Sequence, residues 1–175
     1  GPTGRVVAVE PSPRCLSDLE LVSGEFPNVT IVAVALGPSE GTVELTGWDN
    51  PDHRGLGTLV ADHRAGLKEN WHNGEAVAVP QIRLQDLIDN QLGTDGEVAL
   101  LKVDVEGYEP AVLAGAPTLF SDRRVRSAIL EVTPSVDSSW SGDLIEATAD
   151  NYDAFAIEER GRIRRRLFLA PVNPT

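Results

Sequence analysis

The 175-residue sequence contains no methionine and a single cysteine, Cys15. One cysteine cannot form an internal disulfide, which fits a reducing, cytoplasmic location. Positive charge is also scarce, because 15 Lys and Arg residues stand against 27 Asp and Glu residues, for a net charge of -12. Such a surface repels phosphate groups, so we expect neither nucleic acid nor an anionic membrane as a partner.

Long hydrophobic runs and nucleotide-binding glycine motifs are missing too. No apolar segment approaches the length of a membrane span. Gly55-Leu56-Gly57 lacks the third glycine of the dinucleotide fingerprint and follows no strand, and no phosphate-binding P-loop motif is present. The chain begins with Gly1 and enters a strand almost directly, so we expect it to be N-terminally incomplete.

What is present is the pattern of one globular α/β domain over residues 1–175, with 41% hydrophobic and 24% charged residues. Apolar patterning predicts strands alternating with helices, which favours a mainly parallel sheet covered on both faces. The predicted strands are 5–9, 29–36, 42–45, 76–82, 98–105, 127–132, 154–158 and 164–169, and the predicted helices are 15–23, 84–92, 109–115 and 143–149. The last two strands predict a closing antiparallel hairpin.

Regular patterning fades over residues 46–75, which hold all three histidines and two of the three tryptophans. A segment of this length without periodicity is typical of a functional loop or of a disordered one. The histidines have no zinc-site spacing with a pair of cysteines. Among the histidines, His53 is the favoured candidate for catalysis, because we expect Gly55 and Gly57 to make the backbone of its loop flexible.

Acidic residues end three of the predicted strands. Glu10 ends the first strand just before a turn containing Pro11 and Pro13, where a carboxylate can accept hydrogen bonds from a ribose diol. Asp104 and Glu106 follow an apolar strand, and Glu131 ends the next one. The carboxyl edge of an open α/β sheet is where ligands bind, and clustered acids there are stabilised by a cation.

Four blocks, residues 4–13, 34–37, 101–109 and 130–131, resemble in order and spacing the FkbM-type S-adenosylmethionine-dependent methyltransferases. The most specific block is Lys102-Val103-Asp104-Val105-Glu106-Gly107. The resemblance implies a class I methyltransferase (Rossmann-like) fold with a mostly parallel sheet, helices on both faces and a C-terminal antiparallel hairpin. The family's first strand and glycine-rich loop have no counterpart here, so we expect the first βα unit to be lacking.

The resemblance also implies the activity and the residues that carry it. The expected reaction is methyl transfer from S-adenosylmethionine to a hydroxyl group of a small molecule such as a sugar or polyketide. Glu10 and Ser12 would bind the ribose side of the cofactor, Ala35 and Leu36 the adenine side. Asp104 would contact the cofactor and lie beside the reacting centre as base, orienting group or metal ligand. Residues 46–75 would shape the acceptor pocket.

Several alternatives remain open from the sequence. The chain is also compatible with an inactive fragment of such an enzyme, or with a non-enzymatic binding module of the same fold. A nicotinamide-dependent oxidoreductase shares the ribose-binding acid but needs the glycine fingerprint that is missing here. The sequence assigns no divalent metal, and it leaves a homo-oligomer open.

Overall fold

The computed structural model describes residues 4–47, 59, 76–132, 139–158 and 165–172. The chain divides into two compact units, Gly1–Ile82 and Arg83–Thr175. The strands of the first unit are β1 (Val6–Val9), β2 (Val29–Val32), β3 (Ala35–Leu36), β4 (Gly41–Leu45) and β5 (Val77–Ile82), with helix α1 (Pro13–Ser23). The second unit holds α2 (Leu84–Leu92), β6 (Leu101–Val103), α3 (Glu109–Ala114), β7 (Ala128–Val132), α4 (Ser139–Thr148), β8 (Tyr152–Glu158) and β9 (Arg165–Pro171).

The first unit contains a parallel pair and a mixed three-stranded sheet. β1 and β2 run parallel, while β5 lies between β3, which is parallel to it, and β4, which is antiparallel. The core of the mixed sheet consists of Ala35, Leu45 and Val79. Ser12 and Pro13 start α1, because proline suits the first helical turn and the serine hydroxyl accepts a hydrogen bond from a backbone N–H of that turn.

The second unit is built on a four-stranded sheet in the order β6-β7-β9-β8. β6 and β7 are parallel, and β9 is antiparallel to both β7 and β8. Side chains alternate between the faces of a strand, so the paired residues Ala128 and Leu169 share a face with Leu130 and Leu167. All four are buried, which places the core of this unit on that face.

The expected elements are present, most of them with shifted bounds, and two of the strands differ in extent. The single strand predicted over residues 29–36 is divided into β2 and β3, which pair with different strands. The predicted strand at 98–105 is shorter, because only Leu101–Val103 form a ladder and Val98 makes one isolated bridge to Val125. The reason is that strand length depends on the neighbouring partner, which apolar patterning does not specify.

The sheets are mixed among the described strands, with three parallel and three antiparallel pairings. The α/β class and the closing antiparallel hairpin agree with the sequence, whereas a mostly parallel sheet and the lack of a first βα unit stay predictions. No helix in the described ranges is both long and apolar enough to cross a membrane.

Candidate functional site

The first candidate site is the turn that joins β1 to α1, where Glu10 follows the last strand residue. Its Oε1 accepts a hydrogen bond from the N–H of Ser12 at 2.8 Å. The hydroxyl oxygen of Ser12 in turn accepts from the N–H of Cys15 at 3.5 Å, as the N-cap of α1. These two hydrogen bonds hold the Glu10 carboxylate at a fixed position relative to the first turn of α1.

One carbonyl group, that of Val32, connects the carboxyl ends of β1 and β2 by hydrogen bonds. The oxygen of Val32 accepts hydrogen bonds from the N–H groups of Glu10, at 3.1 Å, and of Val34, at 3.0 Å. This junction brings Glu10 and Ser12 to the segment that leads into Ala35 and Leu36. Four of the five residues predicted to bind the cofactor thus lie in the first unit, on segments that the Val32 carbonyl connects, whereas the fifth, Asp104, lies in the second unit.

Within that group the side chains differ in what they can offer a ligand. Ala35 is 2% exposed and belongs to the core, whereas Leu36 is only partly buried. Partial burial raises the pKa of the Glu10 carboxyl above its ordinary value, and the hydrogen bond from Ser12 opposes that shift. Glu10 therefore combines a fixed carboxylate with access to solvent, while Ala35 acts through its backbone and its packing.

The second candidate site is the turn that joins β6 to α3. Asp104 follows the last residue of β6, and its Oδ2 lies 2.7 Å from Nζ of Lys102. Glu106 and Gly107 come next with φ values of 52° and 94°, so the backbone makes a tight left-handed turn. This turn carries two acidic side chains within three residues.

Glu131 completes the second site from the neighbouring strand. β6 and β7 are paired in parallel with Val103 beside Leu130, and one further residue in that register places Asp104 beside Glu131. Glu131 is 1% exposed. Asp104, Glu106 and Glu131 each offer a carboxylate oxygen within 4.8 Å of the others. Oxygen-rich sets of this kind suit hard divalent cations, so these three residues have the chemistry to hold one together.

Sequence reasoning missed the part that Glu109 plays in this turn. An acid in the first turn of a helix is ordinarily explained by the helix dipole. Here the side chain is 1% exposed, and its Oε1 accepts from the N–H groups of Val105, at 2.9 Å, and Gly107, at 3.4 Å. The available signal was an acid two residues after a turn glycine, the spacing at which a side chain can reach back to turn amides.

Gln81 was also missed, because a glutamine near the end of a strand has no distinctive sequence signal. It is 5% exposed, and its Nε2 donates to the carbonyl of Ser39 at 2.8 Å. A Cβ added to Gly37 would lie 2.1 Å from its Oε1. Gln81 thus packs against the turn that follows β3, and a side chain at position 37 would require the Gln81 side chain to move.

The structure places the sequence-predicted residues in two groups, one in each unit. Glu10, Ser12, Ala35 and Leu36 form the first, and Asp104 joins Glu106 and Glu131 in the second. His53 lies outside the described residues, as does almost all of the predicted acceptor loop at 46–75. Its catalytic role and the loop's role stay predictions.

Comparison with known proteins identifies the family of the chain. A family model described as "Methyltransferase FkbM domain" matches residues 1–165. The fold is similar to the crystal structure of Methyltransferase FkbM from Methylobacillus flagellatus KT, with a TM-score of 0.62 and 15% sequence identity. That similarity covers 94% of this chain and 36% of the other, so this chain spans about a third of its length. No curated protein matches the sequence.

The family match covers nearly the whole chain and includes both acidic turns. The chain belongs to the FkbM methyltransferase family.

Proposed function

We propose that this chain binds S-adenosylmethionine and transfers its methyl group to a hydroxyl of a small molecule, such as a sugar, a polyketide or a similar natural product. The observation that carries the proposal is the fixed, partly exposed carboxylate of Glu10 at the carboxyl end of β1. In nucleotide-binding α/β folds an acid at this place binds a ribose diol.

The donor and acceptor groups of the first unit fit the ribose of this cofactor. Oε1 of Glu10 accepts from Ser12, whereas Oε2 accepts no hydrogen bond from the described part of the chain. The carboxylate therefore retains acceptor capacity for the two hydroxyl donors of a ribose. The half-buried Leu36 supplies apolar surface for the adenine, on a backbone that the Val32 carbonyl links to Glu10.

The second unit supplies groups suited to the acceptor hydroxyl. S-adenosylmethionine provides a methyl group bonded to a positively charged sulfur. Transfer forms a carbon–oxygen bond, breaks the sulfur–carbon bond and releases the hydroxyl proton, which a base must take up. We assign that task, or the orientation of the hydroxyl, to Asp104, whose position the ion pair with Lys102 fixes. Alignment of the oxygen with the methyl carbon supplies the remaining rate enhancement.

Calorimetric titration of S-adenosylhomocysteine tests the cofactor half of this proposal. The wild-type chain, Glu10→Ala and Glu25→Ala are compared, since Glu25 is an exposed acid of the same unit and its loss is the same change in charge. We expect Glu10→Ala to weaken binding by about 10- to 100-fold, because hydrogen bonds to a charged acceptor are lost. Glu25→Ala should bind as wild type does.

Equal affinities of the Glu10→Ala and wild-type chains would remove Glu10 from the cofactor site. Absence of binding by a folded wild-type chain would overturn the proposal for this chain. Where binding holds, a panel of sugar and polyketide alcohols with methyl-labelled S-adenosylmethionine tests the acceptor class. The matching amines serve as controls, and transfer to amines alone would overturn the hydroxyl assignment.

A further inference from the structure

Glu109 occupies an unusual place for an acid at the start of a helix. It is the first residue of α3, and its side chain is 1% exposed. Asp86 occupies the first turn of α2, yet its carboxylate is exposed and paired with Arg83. A favourable interaction with the helix dipole needs no burial, and burial of a carboxylate is costly. The position of Glu109 therefore calls for another explanation.

The hydrogen bonds of Glu109 supply that explanation. Its Oε1 accepts from the N–H groups of Val105 and Gly107, the residues on either side of Glu106. One carboxylate oxygen thus fixes two peptide groups of the turn, the one between Asp104 and Val105 and the one between Glu106 and Gly107. Charge-assisted hydrogen bonds of this kind are stronger than neutral ones.

The backbone that these bonds fix is one that a glutamate does not adopt readily. Glu106 has a φ of 52°, in the left-handed region that favours glycine. Such a conformation persists only where the surrounding structure determines it. In this conformation a carboxylate oxygen of Glu106 comes within 4.8 Å of those that Asp104 and Glu131 offer. The arrangement of the three acids therefore depends on the turn that Glu109 holds.

We propose that Glu109 is a positioning residue, which holds the 105–107 turn through its two amide hydrogen bonds and so places the Glu106 carboxylate beside Asp104 and Glu131. The effect on the turn stands independently of the proposed function. Its consequence for the cofactor rests on that function, because assembled carboxylates near the reacting centre would favour the positively charged S-adenosylmethionine over neutral S-adenosylhomocysteine.

The test compares two substitutions of one residue. Glu109→Leu removes the acceptor, whereas Glu109→Gln keeps an oxygen at the same place. Asp86→Leu is the control, an exposed acid in the first turn of another helix. Amide hydrogen exchange of Val105 and Gly107, and the three-bond coupling that reports φ of Glu106, are measured by NMR. The affinity for S-adenosylmethionine relative to S-adenosylhomocysteine is measured by calorimetry.

In Glu109→Leu we expect exchange of both amides to rise by about tenfold or more and the left-handed φ of Glu106 to be lost. The preference for S-adenosylmethionine over S-adenosylhomocysteine should fall by about threefold or more, since the carboxylates are dispersed. In Glu109→Gln, amide exchange, the φ of Glu106 and the affinity ratio should all stay close to their wild-type values. Asp86→Leu should change none of the three. A merely structural glutamate would lower stability without changing the ratio of the two affinities.

Two results would overturn the positioning role: unchanged exchange of the two amides in Glu109→Leu, and faster exchange of them in Glu109→Gln. An unchanged affinity ratio despite a released turn would overturn the consequence for the cofactor. If Glu109→Leu does not fold, rapid exchange of Val105 and Gly107 in the wild-type chain would overturn the positioning role as well. A wild-type chain that binds neither cofactor form refutes the proposed function, and the NMR readouts then decide the positioning role alone.

Discussion

Two of the strand-to-helix turns in the described part of the chain, β1–α1 and β6–α3, each use an acidic side chain to hold the backbone, but they differ in which acid does so. In the β1–α1 turn, the strand-end acid Glu10 accepts from the N–H of Ser12 at 2.8 Å. In the β6–α3 turn, the helix-start acid Glu109 accepts from the N–H of Val105 at 2.9 Å, and the strand-end acid Asp104 pairs with Lys102 instead. Each turn thus uses one carboxylate to hold its backbone.

The difference lies in whether the acid that holds the turn is also the one that faces a ligand. Under the proposed function Glu10 would do both, and its side chain is partly exposed. In the second turn the holding acid is the buried Glu109, and the carboxylates of Asp104 and Glu106 lie in a separate cluster with Glu131. Removal of the holding acid should therefore cost stability in the second turn and ligand affinity in the first.

The largest expected effect is the loss of stability in Glu109→Ala. We expect the free energy of unfolding to fall by about 2–4 kcal/mol, since a cavity forms and two turn amides lose their acceptor. Glu10→Ala should lower it by no more than about 1 kcal/mol, because the site is partly solvated. Urea denaturation of both variants measures the two decreases in the free energy of unfolding. Equal decreases would contradict the difference between the two turns.

A smaller effect is expected from the turn glycine. Gly107→Ala should destabilise by about 1–2 kcal/mol, because a side chain at a φ of 94° is strained. Glu106→Gly should be neutral or stabilising by up to about 1 kcal/mol, since it relieves a left-handed glutamate. Gly24→Ala is the control from the first unit, where φ is -59° and a Cβ meets nothing nearer than 3.6 Å. Thermal unfolding that ranks these variants otherwise would contradict the backbone argument.

In the first turn, Ser12→Ala should lower the free energy of unfolding by about 1 kcal/mol, within a range of about 0.5–2 kcal/mol, because the Ser12 hydroxyl caps α1. Ser12→Thr retains a capping oxygen and should recover most of the loss. The N-cap of α3, Tyr108, makes no side-chain capping hydrogen bond, so the second turn has no equivalent. Chemical denaturation checks the pair, and equal stability of Ser12→Ala and wild type would show that the 3.5 Å contact contributes nothing.

The smallest effect is a dependence on pH. Burial raises the pKa of Glu109, while its backbone hydrogen bonds lower it and the charge of Asp104 raises it further. A raised pKa in the folded state gives stability that is full below the ordinary glutamate pKa and is lost as pH rises through the raised one. The stability of wild type relative to Glu109→Gln should therefore fall as pH increases from about 4 upward. Melting temperatures across that range test it, and a constant difference would contradict the raised pKa.

Several parts of the site could be predicted from the sequence because they depend on neighbours along the chain. Pro13 after Ser12 predicts a helix start, and apolar strands followed by acids predict Glu10, Asp104 and Glu131 at strand ends. Helix α2 has the predicted bounds, Leu84–Leu92, since its apolar face and the glycine that follows both mark it.

Other parts depend on residues that are distant in sequence. The segment predicted as one strand at 29–36 pairs with β1 in its first half and with β5 in its second. Gln81 contacts the turn at Gly37, more than forty residues earlier, which no local pattern indicates. Strand pairing and burial are decided by such long-range contacts, so patterning alone could not supply them.

The sequence by itself determined the α/β class, the acids at the strand ends and the resemblance to the methyltransferase family, because motif spacing and apolar periodicity are local properties. Only the tertiary structure decided which acids meet. The parallel register of β6 and β7 places Glu131 beside Asp104, and burial turns Glu109 toward the amides of Val105 and Gly107. Carboxylates come together or separate according to strand register and solvent exclusion, and both arise only when the chain folds.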